Sequence, residues 1–211
     1  STHVLLRCTT GEVYAWGNNG NGQVGVNVAG GSYSTPQQVK GVGGAGLLAN
    51  VVHVAAGMAS SYAVRADGTV VAWGSNAGGA LGDGTTTQRD APVVVVDIGG
   101  AGSLGNVTEV AAGRYYALAR RADGSVVAWG ANGSGQLGNG LTGAVFSSPV
   151  AVQGVNGAGL LAGVKSVVTT GMSTSHALTE TGRVLGWGDN PFGSVGDGTT
   201  TQRLAPVDIG L

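Results

Sequence analysis

The chain has 211 residues, of which 42 are glycine, 42% are apolar and 10% are charged, with 10 basic against 11 acidic side chains and a net charge of −1. This balance excludes the basic footprint of a general nucleic-acid binder, and the apolar share is too large for a disordered chain. Glycine is far above its usual level yet lacks the three-residue period of a collagen helix.

Taken in chain order, four units of about 57 residues follow one another, each marked by a Trp-Gly pair. The first runs HVLLRC (3–8), EVYAWG (12–17), the loop NNGNGQVG, then the proline-bearing STPQQVKG. The second runs VVHVAAG (51–57), SSYAVRADG, TVVAWG (69–74), SNAGGALGDG and DAPVVVVD. The third repeats this with VTEVAAG (107–113), YYALARRADG, SVVAWG (125–130), ANGSGQLGNG and SSPVAVQG. The fourth does so with VKSVVTTG (164–171), TSHALTETG, RVLGWG (183–188), DNPFGSVGDG and LAPVDIG. Trp16, Trp73, Trp129 and Trp187 stand 57, 56 and 58 residues apart.

Four short Val-rich runs of alternating polarity per unit predict four strands, and no helical period is sustained. Asp67-Gly68 and Asp123-Gly124 fall between the second and third runs. Such pairs suit a two-residue hairpin with positive φ at its centre. The expected fold is all-β: a propeller-type array of four-stranded antiparallel blades in a single repeat domain over 1–211. Blades are expected at approximately 1–42, 43–99, 100–155 and 156–211, the first lacking its first strand. The four tryptophans are expected to be structural wedges between adjacent blades. No apolar run is long enough to cross a membrane as a helix, and STHVLLRCTT lacks the pattern of a signal peptide.

The string WG-x-N-x-x-G-x-(L/V)-G, followed by a proline strand, V-x-x-V-A-A-G and a turn at D-G, resembles the regulator of chromosome condensation repeat family. The resemblance covers the whole chain. It implies a propeller, usually seven-bladed, that serves as a nucleotide-exchange factor for a small GTPase, as another protein-binding platform, or as a secreted bacterial inhibitor. Such repeats typically carry His three residues after the A-A-G glycine. Here those positions hold Ser60, Tyr116 and Thr174, and only His3 keeps the imidazole.

Chemistry-bearing residues are sparse. His3, His53 and His176 lie on different strands of different units, so each reads as a locally bonded strand residue rather than a metal ligand. Asp83-Gly84 and Asp197-Gly198 invite a calcium reading, but their loops hold too few carboxylates and turn chemistry explains them. The glycine spacings at 17–25 and 130–138 lack the helix of a dinucleotide site. Cys8 is alone, which excludes an intrachain disulfide. No catalytic residue, cofactor or metal site is expected.

A longer period overlies the first. LGDGTTTQR (81–89) recurs as VGDGTTTQR (195–203), and GGAGLLANV (43–51) as NGAGLLAGV (156–164), so the units alternate A-B-A-B. Three residues before the prolines Pro36, Pro92, Pro149 and Pro206 stand Tyr33, Arg89, Phe146 and Arg203. Aromatic residues and arginine are the types enriched at interface hot spots, so these four form the expected partner surface. Guanidinium-on-ring stacking between blades is the structural alternative. The function expected is a non-enzymatic scaffold that binds a protein partner or another copy of itself, as a homo-oligomer or as part of a longer array. Neither nucleic acid nor membrane is expected as a partner. Low charge, two lysines and abundant Gly, Thr and Ser point to a bacterial protein outside the cell or on its surface. A GTPase exchange factor and a glycan-binding propeller are the rivals.

Overall fold

In the computed structural model, which describes residues 2–170 and 172–210, fifteen strands form four antiparallel sheets. The first sheet holds β1 (His3–Arg7), β2 (Val13–Asn18) and β3 (Ser32–Gln38). The second holds β4 (Val51–Ala56), β5 (Ser60–Arg65), β6 (Val70–Gly74) and β7 (Arg89–Val94). The third holds β8 (Val107–Ala112), β9 (Tyr116–Arg121), β10 (Val126–Ala131) and β11 (Val145–Ala151). The fourth holds β12 (Val164–Thr169), β13 (Thr174–Thr179), β14 (Val184–Gly188) and β15 (Arg203–Asp208). Within every sheet the strands lie side by side in chain order, so each is one up-and-down blade. Single turns of 3₁₀ helix, as at Val42–Gly44 and Ile98–Gly100, mark the crossings to the next blade.

The sheets converge on their first strands. His53 Nε2 on β4 lies 2.9 Å from the Val110 carbonyl on β8, and Thr169 Oγ1 on β12 donates to the Ala112 carbonyl on β8 at 2.9 Å. In the first blade β1 occupies this inner side and lies against β4.

Asp-Gly turns differ from the expected two-residue form. Arg65 and Thr69 bond to each other at 2.9 Å, and the Gly68 N–H closes a turn on the Arg65 carbonyl at 2.9 Å, leaving three residues in the loop. Of these only Gly68 has positive φ, at 77°. The Asp67 carboxylate instead accepts from the Thr69 N–H at 2.9 Å. A type I turn followed by a left-handed glycine needs no positive φ at Asp, which makes it the easier geometry for this sequence.

At every Trp-Gly pair the register between third and fourth strands shifts, as between Ala72 and Gly74. The glycine adopts φ of 101–108° at Gly17, Gly74, Gly130 and Gly188. A Cβ on Gly130 would stand 2.4 Å from the Tyr115 carbonyl, so only glycine fits the bulge. The bulge turns the preceding indole toward the previous blade. Trp73, Trp129 and Trp187 are completely buried there. Each indole N–H donates to a loop carbonyl of the previous blade: Trp73 to Gln23 at 2.9 Å, Trp129 to Ala80 at 2.8 Å, Trp187 to Gln136 at 3.0 Å. Three apolar cores result, one per junction, rather than one shared interior. Trp16 departs from the expected wedge. No described blade precedes it, so it is half-buried and its indole has no hydrogen-bond partner among the described residues.

Candidate functional site: the loop end of the propeller

Alternating strand direction places the turns after the first strands and the long Gly/Asn loops after the third strands at the same end. Backbone bonds tie them together: Ser75 N–H to the Ala59 carbonyl at 2.8 Å, Ala131 to Tyr115 at 2.9 Å, Asp189 to Ser173 at 2.9 Å. All four residues expected to meet a partner lie at this end. Tyr33, Arg89, Phe146 and Arg203 each stand opposite the bulge glycine of their own blade, at Gly17, Gly74, Gly130 and Gly188. Counting back from the prolines therefore identified equivalent positions on the outermost strands.

Their side chains are half-buried and engaged within their own blade or junction. Tyr33 and Phe146 pack on the junction cores. Arg89 Nε donates to Asp83 Oδ2 at 2.8 Å, and Arg203 Nε to Asp197 Oδ2 at 2.6 Å. No guanidinium of this set stacks on a ring among the described residues, because the loop carboxylates have claimed them; the one such contact is Arg114 over Tyr115 at 5.1 Å. Each carboxylate is the hub of its loop. Asp83 also accepts from the Thr85 N–H at 3.0 Å and from Asn76 Nδ2 at 3.0 Å. Burial works against ionisation of Asp83, but hydrogen bonds from Thr85, Arg89 and Asn76 outweigh it and hold the carboxyl below its usual range. A hydrogen bond from Thr199, with Arg203 beside it, brings Asp197 to about 2. Donors thus fill the oxygens that the calcium reading invoked. No group of three His, Cys, Asp or Glu suited to a metal occurs among the described residues.

The exposed chemistry of this end lies nearer the axis, at positions the sequence reading did not single out. Met58, Arg114 and Met172 follow the first-strand glycines and line a cavity of about 350 Å³. Met172 also borders a second cavity of about 290 Å³, shared with Phe192 from the fourth blade's long loop. Phe192 is 92% exposed and Met172 66%. Arg114 has no carboxylate partner among the described residues. A signal was present in the sequence: both methionines of the chain occupy this one repeat position.

Known proteins place this architecture. The chain is 31% identical over 209 residues to the ultraviolet-B receptor UVR8 of Arabidopsis thaliana, covering 99% of this chain and 44% of the receptor. It is 30% identical over 217 residues to the mitochondrial RCC1 domain-containing protein RUG3 of the same plant, covering 99% of this chain and 45% of that protein. Human WBSCR16 superposes on the whole chain with a TM-score of 0.83 at 26% identity, over 51% of its own length. Yeast RCC1 (Prp20), solved bound to Kap60, does so at 0.79 and 22% identity over 47% of its length, a likeness of fold. The chain thus spans about half the length of these relatives. The model of the Regulator of chromosome condensation (RCC1) repeat matches residues 10–64, 67–120 and 123–177, most of the chain's length: the chain belongs to the RCC1 repeat family.

Proposed function

We propose that this chain is a non-enzymatic scaffold that captures a protein partner on the loop end of its blades. The observation that carries the reading is the exposed cluster of Met58, Arg114 with Tyr115, Met172 and Phe192 around two shallow cavities. Methionine, aromatic residues and arginine are enriched at protein interfaces, and adaptable thioethers with a fork of donors suit an apolar segment bearing a carboxylate. Tyr33, Arg89, Phe146 and Arg203 border this surface on its outer side. The aromatic pair packs on the junction cores beneath it, and the arginine pair fixes the loops. Prp20 of the same fold was solved bound to a protein, Kap60, which supports a protein rather than a small molecule as the occupant. The extracellular placement expected from composition belongs to the same proposal and is checked by fractionating the source cells.

The test is selection of peptides or domains on the immobilised chain, followed by calorimetry of the best binder. Met58→Glu with Met172→Glu should abolish its binding while leaving the melting temperature within about 2 °C, since both side chains are exposed. Binding that survives the double variant but fails on changes at the opposite, hairpin end would overturn the assignment. Accelerated nucleotide release from a small GTPase would replace the scaffold with an exchange factor.

A further inference from the structure

The turns after the first strands of three successive blades present one repeat position each, in the order Met58, Arg114, Met172. The alternation of the units reappears here: the B units, second and fourth, carry the thioethers, and the A unit between them carries the guanidinium. These turns lie close together because the sheets converge on their first strands. A Cβ on Gly57 would stand 2.9 Å from the Gly113 carbonyl, and Thr169 on β12 reaches the Ala112 carbonyl at 2.9 Å. Met58 is 44% exposed, Met172 66%, and Arg114 is exposed as well. Met58 and Arg114 have a described blade on either side, so the surface belongs to the interior of the row of blades. Arg114 is the one ionisable residue in the lining of the cavity of about 350 Å³ that the three share. Asp83 and Asp197, the carboxylates of the neighbouring long loops, are held by Arg89 and Arg203. Asp189 borders the adjoining cavity and not this one. The Arg114 guanidinium lies over the Tyr115 ring at 5.1 Å, which limits its swing, and its N–H donors have no acceptor among the described residues.

We infer that this surface takes an extended acidic segment of a partner protein, in which Asp or Glu stands two residues from an apolar side chain on either side. The inference rests on the capture surface proposed above and names what that surface recognises. Three constraints converge on the pattern. The first is charge: an unpaired arginine between two thioethers is complemented by a carboxylate between two apolar groups, and a planar fork of donors matches a carboxylate better than a single acceptor. The second is spacing. Packed sheets stand about 10 Å apart and these turns lie where the blades converge, so neighbouring positions fall within about 10 Å of each other. Side chains on one face of an extended peptide recur at every second residue, about 7 Å apart. The third is backbone bonding. The amides of Met58, Ala59, Arg114 and Tyr115 have no acceptor among the described residues. An extended segment brings free carbonyls to them, whereas a helix has already engaged its own. Because methionine adapts its shape, the two apolar positions accept Leu, Ile, Met or Phe alike.

The test titrates the chain into a fluorescein-labelled peptide with the core Leu-Ser-Glu-Ser-Leu between Gly-Ser flanks and follows polarisation. A Kd of about 10–100 μM is expected, weakened about 10-fold or more when the centre is Gln or Lys or when the acid moves by one residue. Arg114→Glu should reverse the order, so that the Lys-centred peptide binds better than the Glu-centred one, a change that loss of fold would not produce. Met58→Ala and Met172→Ala should each weaken the Glu-centred peptide about three-fold or more. All three side chains are exposed, so melting temperatures should stay within about 2 °C. No measurable binding of the Glu-centred peptide, equal binding of the Glu- and Lys-centred peptides, or no reversal by Arg114→Glu would each overturn the inference. An unbiased peptide selection on the immobilised chain separates its failure from that of the capture surface. Binders that compete at Met58 and Met172 but lack an acidic centre would overturn the pattern and leave the surface standing. Binders that all map away from the loop end would overturn both.

Discussion

Replacing Trp73 by alanine tests the mechanism that holds the blades together. The side chain is completely buried at the junction of the first and second blades. An indole removes about 200 Å² from water, worth roughly 5 kcal/mol at about 25 cal/mol/Å² and some 3–4.5 kcal/mol once residual burial in the unfolded chain is allowed for. Its hydrogen bond to Gln23 adds about 1 kcal/mol. The Gln23 carbonyl keeps the Ser61 hydroxyl at 2.8 Å, so no buried acceptor is orphaned by the truncation. The expected loss is therefore about 4–5 kcal/mol, at the upper end of the range for large-to-small changes of this kind. Trp16→Ala, at a half-buried site with no hydrogen-bond partner among the described residues, should cost less than about 2 kcal/mol. Urea denaturation followed by far-ultraviolet circular dichroism at sub-micromolar chain measures both, with calorimetry to check that one transition is observed. Equal losses for Trp73→Ala and Trp16→Ala would show that seating on a previous blade is not what the buried indole contributes.

Two other perturbations probe neighbouring features. Gly82→Ala must hold φ near 68° and place its Cβ 2.7 Å from Trp129, whereas Gly196→Ala meets nothing closer than 3.4 Å at φ 88°. Both carry about 1–2 kcal/mol of left-handed strain, and Gly82→Ala should add about 1–3 kcal/mol of overpacking, so similar midpoints in denaturant would contradict the close seating of the Trp129 indole on Gly82. His3 is 4% exposed with Nε2 2.8 Å from Ser61 Oγ, and burial lowers its pKa from 6.5 to about 4. Between those values the unfolded chain takes up a proton that the folded chain refuses. Its contribution is therefore complete above pH 6.5 and is lost as pH falls toward 4, by about 2 kcal/mol at pH 5. His3→Gln should flatten the stability profile between pH 7 and pH 5; parallel profiles for the two proteins would remove His3 as the source.

What the sequence disclosed and what it withheld divide along a physical line. A repeat fixes which residues are equivalent, and so the four sheets, the Trp-Gly strand ends and the shared register of Tyr33, Arg89, Phe146 and Arg203 were all legible. Equivalence does not say what stands opposite. Arg89 and Arg203 look like recognition groups until Asp83 and Asp197, six residues upstream in the same loops, are seen to bind them. Trp16 looks like its three counterparts until the absence of a described preceding blade leaves it half-buried. The Asp-Gly turns followed a three-residue geometry because the dipeptide fits both and the bonding of the flanking strands decides. The alternation between units illustrates the same point from the other side. At the first-to-second junction a ring from the A blade, His3, meets Ser61; at the third-to-fourth junction Tyr116 meets Ser175 at 3.1 Å and the Thr174 carbonyl at 2.9 Å. Between the second and third blades the ring comes instead from Tyr62, which reaches the Ala80 carbonyl of its own blade at 2.6 Å and packs edge-on to Trp129 with centroids 6.2 Å apart. The longer period is therefore a period of junctions, A-to-B and B-to-A, each a matched set of side chains drawn from two blades. Exchanging single residues between the two kinds of junction should be costlier than exchanging the whole set, because a buried hydroxyl moved without its partner is left unsatisfied.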